Sequence, residues 1–259
     1  MPVVKLKDVQ LYYEIAGPDD APVLVFSNSL GTSLAMWDPQ MPELSRSFRI
    51  LRYDMRGHGK SQVTPGPYSI PQLAADVVSL LDALEIDKAD FCGLSMSGMI
   101  GMELALHAPS RFRKVIVCNT APKLGTAAAW NTRIQTVETS GMKAVADAVI
   151  ERWFTPEFRA ASPAVVEATR QMLLGTPPEG YAASCASIRD MDATAAISGI
   201  RVPTLIVHGT RDPVTAQDDG QKMAAAIPGA QLVNLPVAHM SNIEAAPAFT
   251  MAVAKFLQS

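Results

Sequence analysis

Short, continuously apolar runs alternate along this chain with stretches whose apolar positions recur every three or four residues. The short runs lie at 23–26, 49–53, 90–92, 115–118, 205–207 and 231–235, and residues 3–6 with 10–15 read as an opening hairpin. The central runs lack the in–out alternation of a sheet with one wet face, so they predict parallel strands covered on both sides. Between them, 69–86 predicts a helix. Leu73, Val77, Leu80, Leu81 and Leu84 fall on one stripe, and Ser69 stands three residues before Gln72 in capping-box spacing. Helical patterns also fit 96–107, 217–226 and 244–256. This alternation predicts a doubly wound α/β fold, with a mostly parallel eight-stranded sheet and helices on both faces.

One region breaks the rhythm. Residues 122–198 show no strand pattern, only amphipathic helical stretches punctuated by Gly125, Gly141, Pro156, Pro163 and the Gly175-Thr-Pro-Pro178 turn. They predict a helical cap inserted between the sixth and seventh strands of a core domain built from 1–121 and 199–259.

Composition acts mainly by exclusion. At 259 residues, 48% hydrophobic and 18% charged, the chain can bury a sizeable core and is not a disordered segment. A net charge of −3 leaves no basic footprint for nucleic acid or an anionic membrane, so the expected partner is a small molecule. No apolar run reaches about 18 residues, and the N-terminal segment enters a strand pattern without a signal-peptide core. A cytoplasmic location is therefore expected. Cys92, Cys118 and Cys185 are odd in number, widely spaced and without CxxC, which argues against a disulfide framework and a zinc site. The pattern leaves monomer and homodimer both open.

The chemistry concentrates at strand ends. Ala89-Asp-Phe-Cys-Gly-Leu-Ser-Met-Ser-Gly98 reads as strand, sharp turn and helix with Ser95 at the apex, the arrangement of a nucleophile elbow. The usual Gly-x-Ser-x-Gly becomes Gly93-Leu-Ser-Met-Ser97, with Gly98 one place late, and Ser97 is small enough for the close strand–helix crossing. Asp212 follows the run at 205–207, and His239 follows the run at 231–235. Parallel strands bring their carboxyl ends to one edge, so Ser95, Asp212 and His239 are expected to converge in the order serine, acid, histidine. His239 would then take the Ser95 proton while Asp212 orients the imidazole. Each residue alone reads more simply as a cap, a turn residue or a surface histidine; together they read as a triad. His58, in a Gly-His-Gly turn, His107 and His208 fit the role poorly. The oxyanion calls for two backbone donors, and the N–H groups of Met96 and of Leu30, in the loop Ser27-Asn-Ser-Leu-Gly-Thr32, are the candidates.

Those stretches, with Tyr53-Asp-Met-Arg-Gly-His-Gly-Lys-Ser61, His208-Gly-Thr-Arg-Asp-Pro213 and Ala238-His-Met, resemble the α/β-hydrolase fold family over nearly the whole chain. The segment from Asp54 to Ser61 marks the fold and is assigned no catalysis. Within the family, the Ser-Asn-Ser-Leu-Gly loop, Phe91-Cys-Gly-Leu-Ser-Met and Ala129-Trp-Asn-Thr-Arg-Ile134 are similar to 3-oxoadipate enol-lactonases. That resemblance implies hydrolytic opening of the enol-lactone to 3-oxoadipate, in the β-ketoadipate route of aromatic catabolism, with no metal and no organic cofactor.

Such a lactone carries a carboxylate, and its pocket should offer a guanidinium or another donor. Arg133 is the cap candidate, flanked by Trp130 and Ile134 on an otherwise apolar helix; a solvated helix arginine is the alternative. Trp130, Trp153 and Met142 read equally well as apolar pocket lining and as packing within the cap. Two rival functions use the same sequence: a general carboxylesterase or perhydrolase-type enzyme, and a hydrolase-fold ligand receptor with little turnover.

Overall fold

The computed structural model describes residues 2–215 and 218–259. Eight strands form one sheet: β1 (Val3–Lys5), β2 (Gln10–Ala16), β3 (Val23–Ser27), β4 (Arg49–Tyr53), β5 (Ala89–Leu94), β6 (Phe112–Cys118), β7 (Thr204–Gly209) and β8 (Gln231–Leu235). Their order is β1-β2-β4-β3-β5-β6-β7-β8. The first two pairings, β1 with β2 and β2 with β4, are antiparallel, and every other pairing is parallel. All residues of β3, β5 and β7 are buried, which explains why those runs show no alternation.

Outside the region 122–198, the helices are α1 (Met41–Leu44), α2 (Ile70–Ala83) and α3 (Met96–His107), then α9 (Asp219–Ala226), α10 (Ser241–Glu244) and α11 (Ala246–Gln258). Ser69 Oγ accepts the Gln72 N–H at 3.2 Å and starts α2, whose Leu73, Val77, Leu80 and Leu81 are buried. The helix closes earlier than its apolar stripe suggests. Glu85 turns left-handed at φ 56°, and the Ile86 and Glu85 amides bond back to Leu81 and Asp82 in a Schellman closure. The expected helix 244–256 is instead two, because Pro247 has no N–H to bond the Ile243 carbonyl and the chain breaks at Ala245. Gln217, where another helix was expected to start, lies outside the described residues. Stacked Phe26 and Trp37, with ring centroids 4.4 Å apart, and Phe249 against Trp37 join β3 and α11 through the 3-10 helix Leu34–Gln40.

Between β6 and β7 come α4 (Ala127–Ser140), α5 (Lys143–Trp153), α6 (Pro156–Ala161), α7 (Pro163–Leu174) and α8 (Pro178–Asp190). Thr126 and Thr155 cap α4 and α6 with their hydroxyls, Pro163 and Pro178 open α7 and α8, and Gly141 at φ 71° ends α4. The apolar character expected of α4 is not found, since only Val137 is buried on it. Its remaining residues are half-buried or exposed, and Ala129 lines the cavity described below. Among the described residues no helix is long and apolar enough to cross a membrane.

Register places the site. Ser27 pairs with Gly93, Leu94 with Cys118, Cys118 with Val207 and Gly209 with Leu235, so the carboxyl ends of β3, β5, β6, β7 and β8 open on one edge.

Candidate active site

Ser95 occupies the turn between β5 and α3 at φ 59° and ψ −118°. A side-chain-bearing residue held there costs about 1–3 kcal/mol, so neighbours must enforce it. Its N–H donates to Cys118 O at 2.8 Å, and its carbonyl accepts Thr120 Oγ1–H at 2.8 Å and the Gly98 N–H at 2.8 Å. The two tight approaches fall on glycines: a Cβ on Gly93 would lie 2.2 Å from Ser97 O, and one on Gly98 would lie 2.5 Å from Thr120 Cγ2. Gly93 thus makes the close strand–helix crossing, and Gly98, one place late in the motif, makes room for Thr120 beyond β6.

Ser97 does something else. Its hydroxyl donates to Asn28 O at 2.5 Å and lies 2.8 Å from Ser27 Oγ, which lies 2.7 Å from Tyr53 Oη. Each hydroxyl has one proton, so a chain ending on a carbonyl has one direction: Tyr53 to Ser27 to Ser97 to Asn28. A serine in the glycine position ties the elbow to the loop after β3.

His239 Nδ1 lies 2.8 Å from Asp212 Oδ2, and both side chains are buried. Asp212 Oδ2 also accepts Asn119 Nδ2–H at 3.0 Å and Thr215 Oγ1–H at 2.9 Å, while Oδ1 accepts the Val214 N–H at 2.8 Å. Burial alone would raise the Asp212 pKa. The charge and hydrogen bond of His239, with the Asn119 and Val214 donors, outweigh it and hold the carboxyl below its ordinary value. An ionised carboxylate only accepts, so Nδ1 carries the proton and Nε2 is left as the basic nitrogen. The histidine loop is pinned on both sides: the Ala238 N–H donates to Glu244 Oε2 at 3.2 Å and the Met240 N–H to Trp153 O at 3.0 Å. Glu244 also receives the N–H and hydroxyl of Thr155, joining this loop to the end of α5.

In the loop after β3, the Ser29 N–H lies 3.2 Å from Met36 Sδ, Gly31 donates to His58 Nε2 at 3.0 Å and Thr32 to Ser29 O at 3.2 Å. Between them, the Leu30 N–H has no protein acceptor among the described residues, and neither has the Met96 N–H at the start of α3.

Ser95, His239, Leu30, Trp130, Arg133 and Trp153 line one cavity of about 200 Å³, with Asp212 behind the imidazole. Met142 does not. It is buried in the apolar core at the start of α5, which turns its thioether inward. Trp130 is fixed by its indole N–H on Leu124 O at 2.7 Å, and the Arg133 guanidinium stands 5.0 Å from its ring centroid. The cavity also contains Arg152 and Tyr181, which the sequence did not single out. Burial, reinforced by the charge of Arg133, pushes the Arg152 pKa down, with Tyr181 acting the other way. No Asp or Glu lines the cavity, and neither arginine has a carboxylate partner among the described residues. Arg152 had a weak signal: it lies three residues after Val149 and beside Trp153, at the edge of the apolar face of α5. Asn119 and Thr215 had none, because one follows a buried strand and the other a turn, and only the folded chain brings them to Asp212.

The family model of the alpha/beta hydrolase fold matches residues 22–246. The chain belongs to this family. It is 43% identical to 3-oxoadipate enol-lactonase 2 of Acinetobacter baylyi, over 98% of this chain and 97% of that protein. To 3-oxoadipate enol-lactonase 1 of the same organism it is 38% identical, over 96% and 93%. The crystal structure of the enol-lactonase from Burkholderia xenovorans LB400 superposes over 100% of both chains with a TM-score of 0.98 at 44% identity.

Proposed function

We propose that this α/β hydrolase opens the ring of 3-oxoadipate enol-lactone, or a closely similar small anionic lactone, through Ser95, His239 and Asp212. The observation that carries the proposal is a cavity that joins Ser95 and His239 to two arginines without acidic partners. A pair of unneutralised guanidiniums in a half-buried pocket repel one another, and a bound carboxylate relieves that repulsion. The similarity to named enol-lactonases over nearly the full length supports the same substrate class.

Ser95 Oγ attacks the lactone carbonyl as His239 Nε2 removes its proton, and Asp212 stabilises the imidazolium that forms. The N–H groups of Leu30 and Met96 receive the oxyanion. Collapse breaks the ring C–O bond, and His239 returns the proton to the departing enol oxygen. Water, activated by the same imidazole, then cleaves the acyl-enzyme, and the enol relaxes to the ketone. Arg133 and Arg152 hold the carboxylate that does not react, while Trp130 and Trp153 cover the ring. Residues 122–198 act as the cap on a core formed by 1–121 and 199–259.

The two arginines provide the test. Arg133→Ala and Arg152→Ala should each raise KM for the enol-lactone about ten- to a hundredfold, as expected for loss of a charge-assisted hydrogen bond. KM for neutral p-nitrophenyl acetate should change little. Equal effects on the two substrates would remove the arginines from the carboxylate role.

A further inference from the structure

The turn from Ser29 to Thr32 carries the Leu30 N–H, and its third residue, Gly31, has φ 78°, the conformation that a type II turn gives to glycine. A Cβ on Gly31 would meet Leu173 Cδ1 at 2.5 Å. The central peptide of the turn, between Leu30 and Gly31, follows directly on the peptide that carries the Leu30 N–H. The central peptide directs its N–H onto His58 Nε2 at 3.0 Å.

Geometry sets the state of the imidazole. His58 Nδ1 lies 3.2 Å from the Arg56 carbonyl, which can only accept, so Nδ1 carries the proton and Nε2 presents a lone pair. The ring is completely buried, and burial pushes its pKa down to about 4, so it stays neutral near pH 7. The flanks of the loop are tied to the same stretch of chain. Asn28 Nδ2–H donates to Tyr53 O at 2.8 Å, and the Leu34 N–H donates to Asp54 Oδ1 at 2.7 Å. With the flanks fixed, the His58 bond anchors the middle.

We propose that His58 is a positioning residue for the reaction, its Nε2 lone pair anchoring the Gly31 N–H and so holding the whole turn, with the preceding Ser29–Leu30 peptide, where the Leu30 N–H meets the oxyanion. The segment from Asp54 to Ser61 then does more than shape the fold. This role rests on Leu30 and Met96 being the oxyanion donors of the proposed function.

The experiment compares His58→Leu, which offers no acceptor, with His58→Gln, whose amide oxygen can reach the place of Nε2. Ser95→Ala serves as the inactive control, and both the enol-lactone and p-nitrophenyl acetate are assayed. Outright removal of an oxyanion donor costs about 10²–10³ in kcat, so misaiming one should lower kcat of His58→Leu about ten- to a hundredfold on both substrates, with KM within about twofold. His58→Gln should recover most of that loss. Circular dichroism checks that both variants fold, and nitrogen-15 spectra of the wild-type imidazole test the tautomer without any substitution. A folded His58→Leu with wild-type kcat, equal impairment of the Leu and Gln variants, or a proton found on Nε2 would each overturn the positioning role while leaving the triad standing. Full turnover by Ser95→Ala would overturn the triad itself, and the His58 role with it.

Discussion

Asp212 Oδ2 accepts hydrogen bonds from His239, Asn119 and Thr215, and the amide of Asn119 also donates to Ala238 O beside the histidine. Asn119 therefore holds both Asp212 and the backbone beside His239, the proposed acid and base. Asn119→Ala should cost about 1–3 kcal/mol of stability by leaving buried partners unpaired. It should also lower kcat more than it changes KM, and an unchanged kcat would make the contact purely structural. Two groups in and beside the site contribute to the response to acid. The folded pKa of Asp212 lies below its ordinary 3.8, so its contribution is present at neutral pH and is lost as pH falls below that range. His58 acts earlier. Unfolded it titrates near 6.5 and folded near 4, so between these values the unfolded chain binds a proton that the folded chain does not. Acidification across that window should destabilise the fold by on the order of 3 kcal/mol. Thermal melts at about pH 7 and about pH 4.5 should show a smaller loss for His58→Gln, which does not titrate, than for the wild type. Equal losses would place the proton uptake elsewhere.

Elements differ in how far their cause lies within their own sequence. β3, β5 and β7 are buried throughout, and α2 buries Leu73, Val77, Leu80 and Leu81 of the stripe its spacing announces, so those elements were legible from apolar pattern alone. Leu80 is fully buried on α2, and Leu80→Ala should cost about 2–5 kcal/mol in a urea titration. A cost below about 1 kcal/mol would mean that the helix packs loosely against its neighbours. The strand ends that carry Ser95, Asp212 and His239 were legible for the same reason, since parallel strands share one edge. What pattern could not supply was lateral: the split of the last helix at Pro247, the exposed face of α4, the inward turn of Met142, and Arg152 beside Arg133. Each depends on what packs against the element rather than on its own periodicity. Ser97 is the instructive case. A departure from the motif when read as spacing, in the folded chain it carries the hydroxyl chain from Tyr53 to Asn28. Ser97→Ala should leave the elbow formed but remove the link to the oxyanion loop, costing about 1–3 kcal/mol for the unpaired groups, readable as a lower Tm. An unchanged Tm would deny the link any weight.

For the molecule as a whole, the sheet brings the proposed reacting residues to one edge, and the helices between β6 and β7 supply the proposed recognition. Ser95 and His239 come from the strand ends, whereas Trp130, Arg133, Arg152 and Trp153 come from α4 and α5. The histidine loop is bonded directly to the end of α5 through Trp153 O and Glu244, so the proposed carboxylate-binding and proton-transfer parts are joined by hydrogen bonds. A chain with a net charge of −3 places two arginines without carboxylate partners among the described residues in this small cavity, so the proposed selectivity arises at the site rather than by long-range attraction. The central claim, that this triad works on a small anionic lactone, is tested most directly by kcat/KM of the purified wild-type protein for 3-oxoadipate enol-lactone and for p-nitrophenyl acetate under one set of conditions. The lactone should be preferred by at least about a hundredfold, the worth of roughly 3 kcal/mol of transition-state binding; equal rates or a preference for the neutral ester would contradict it.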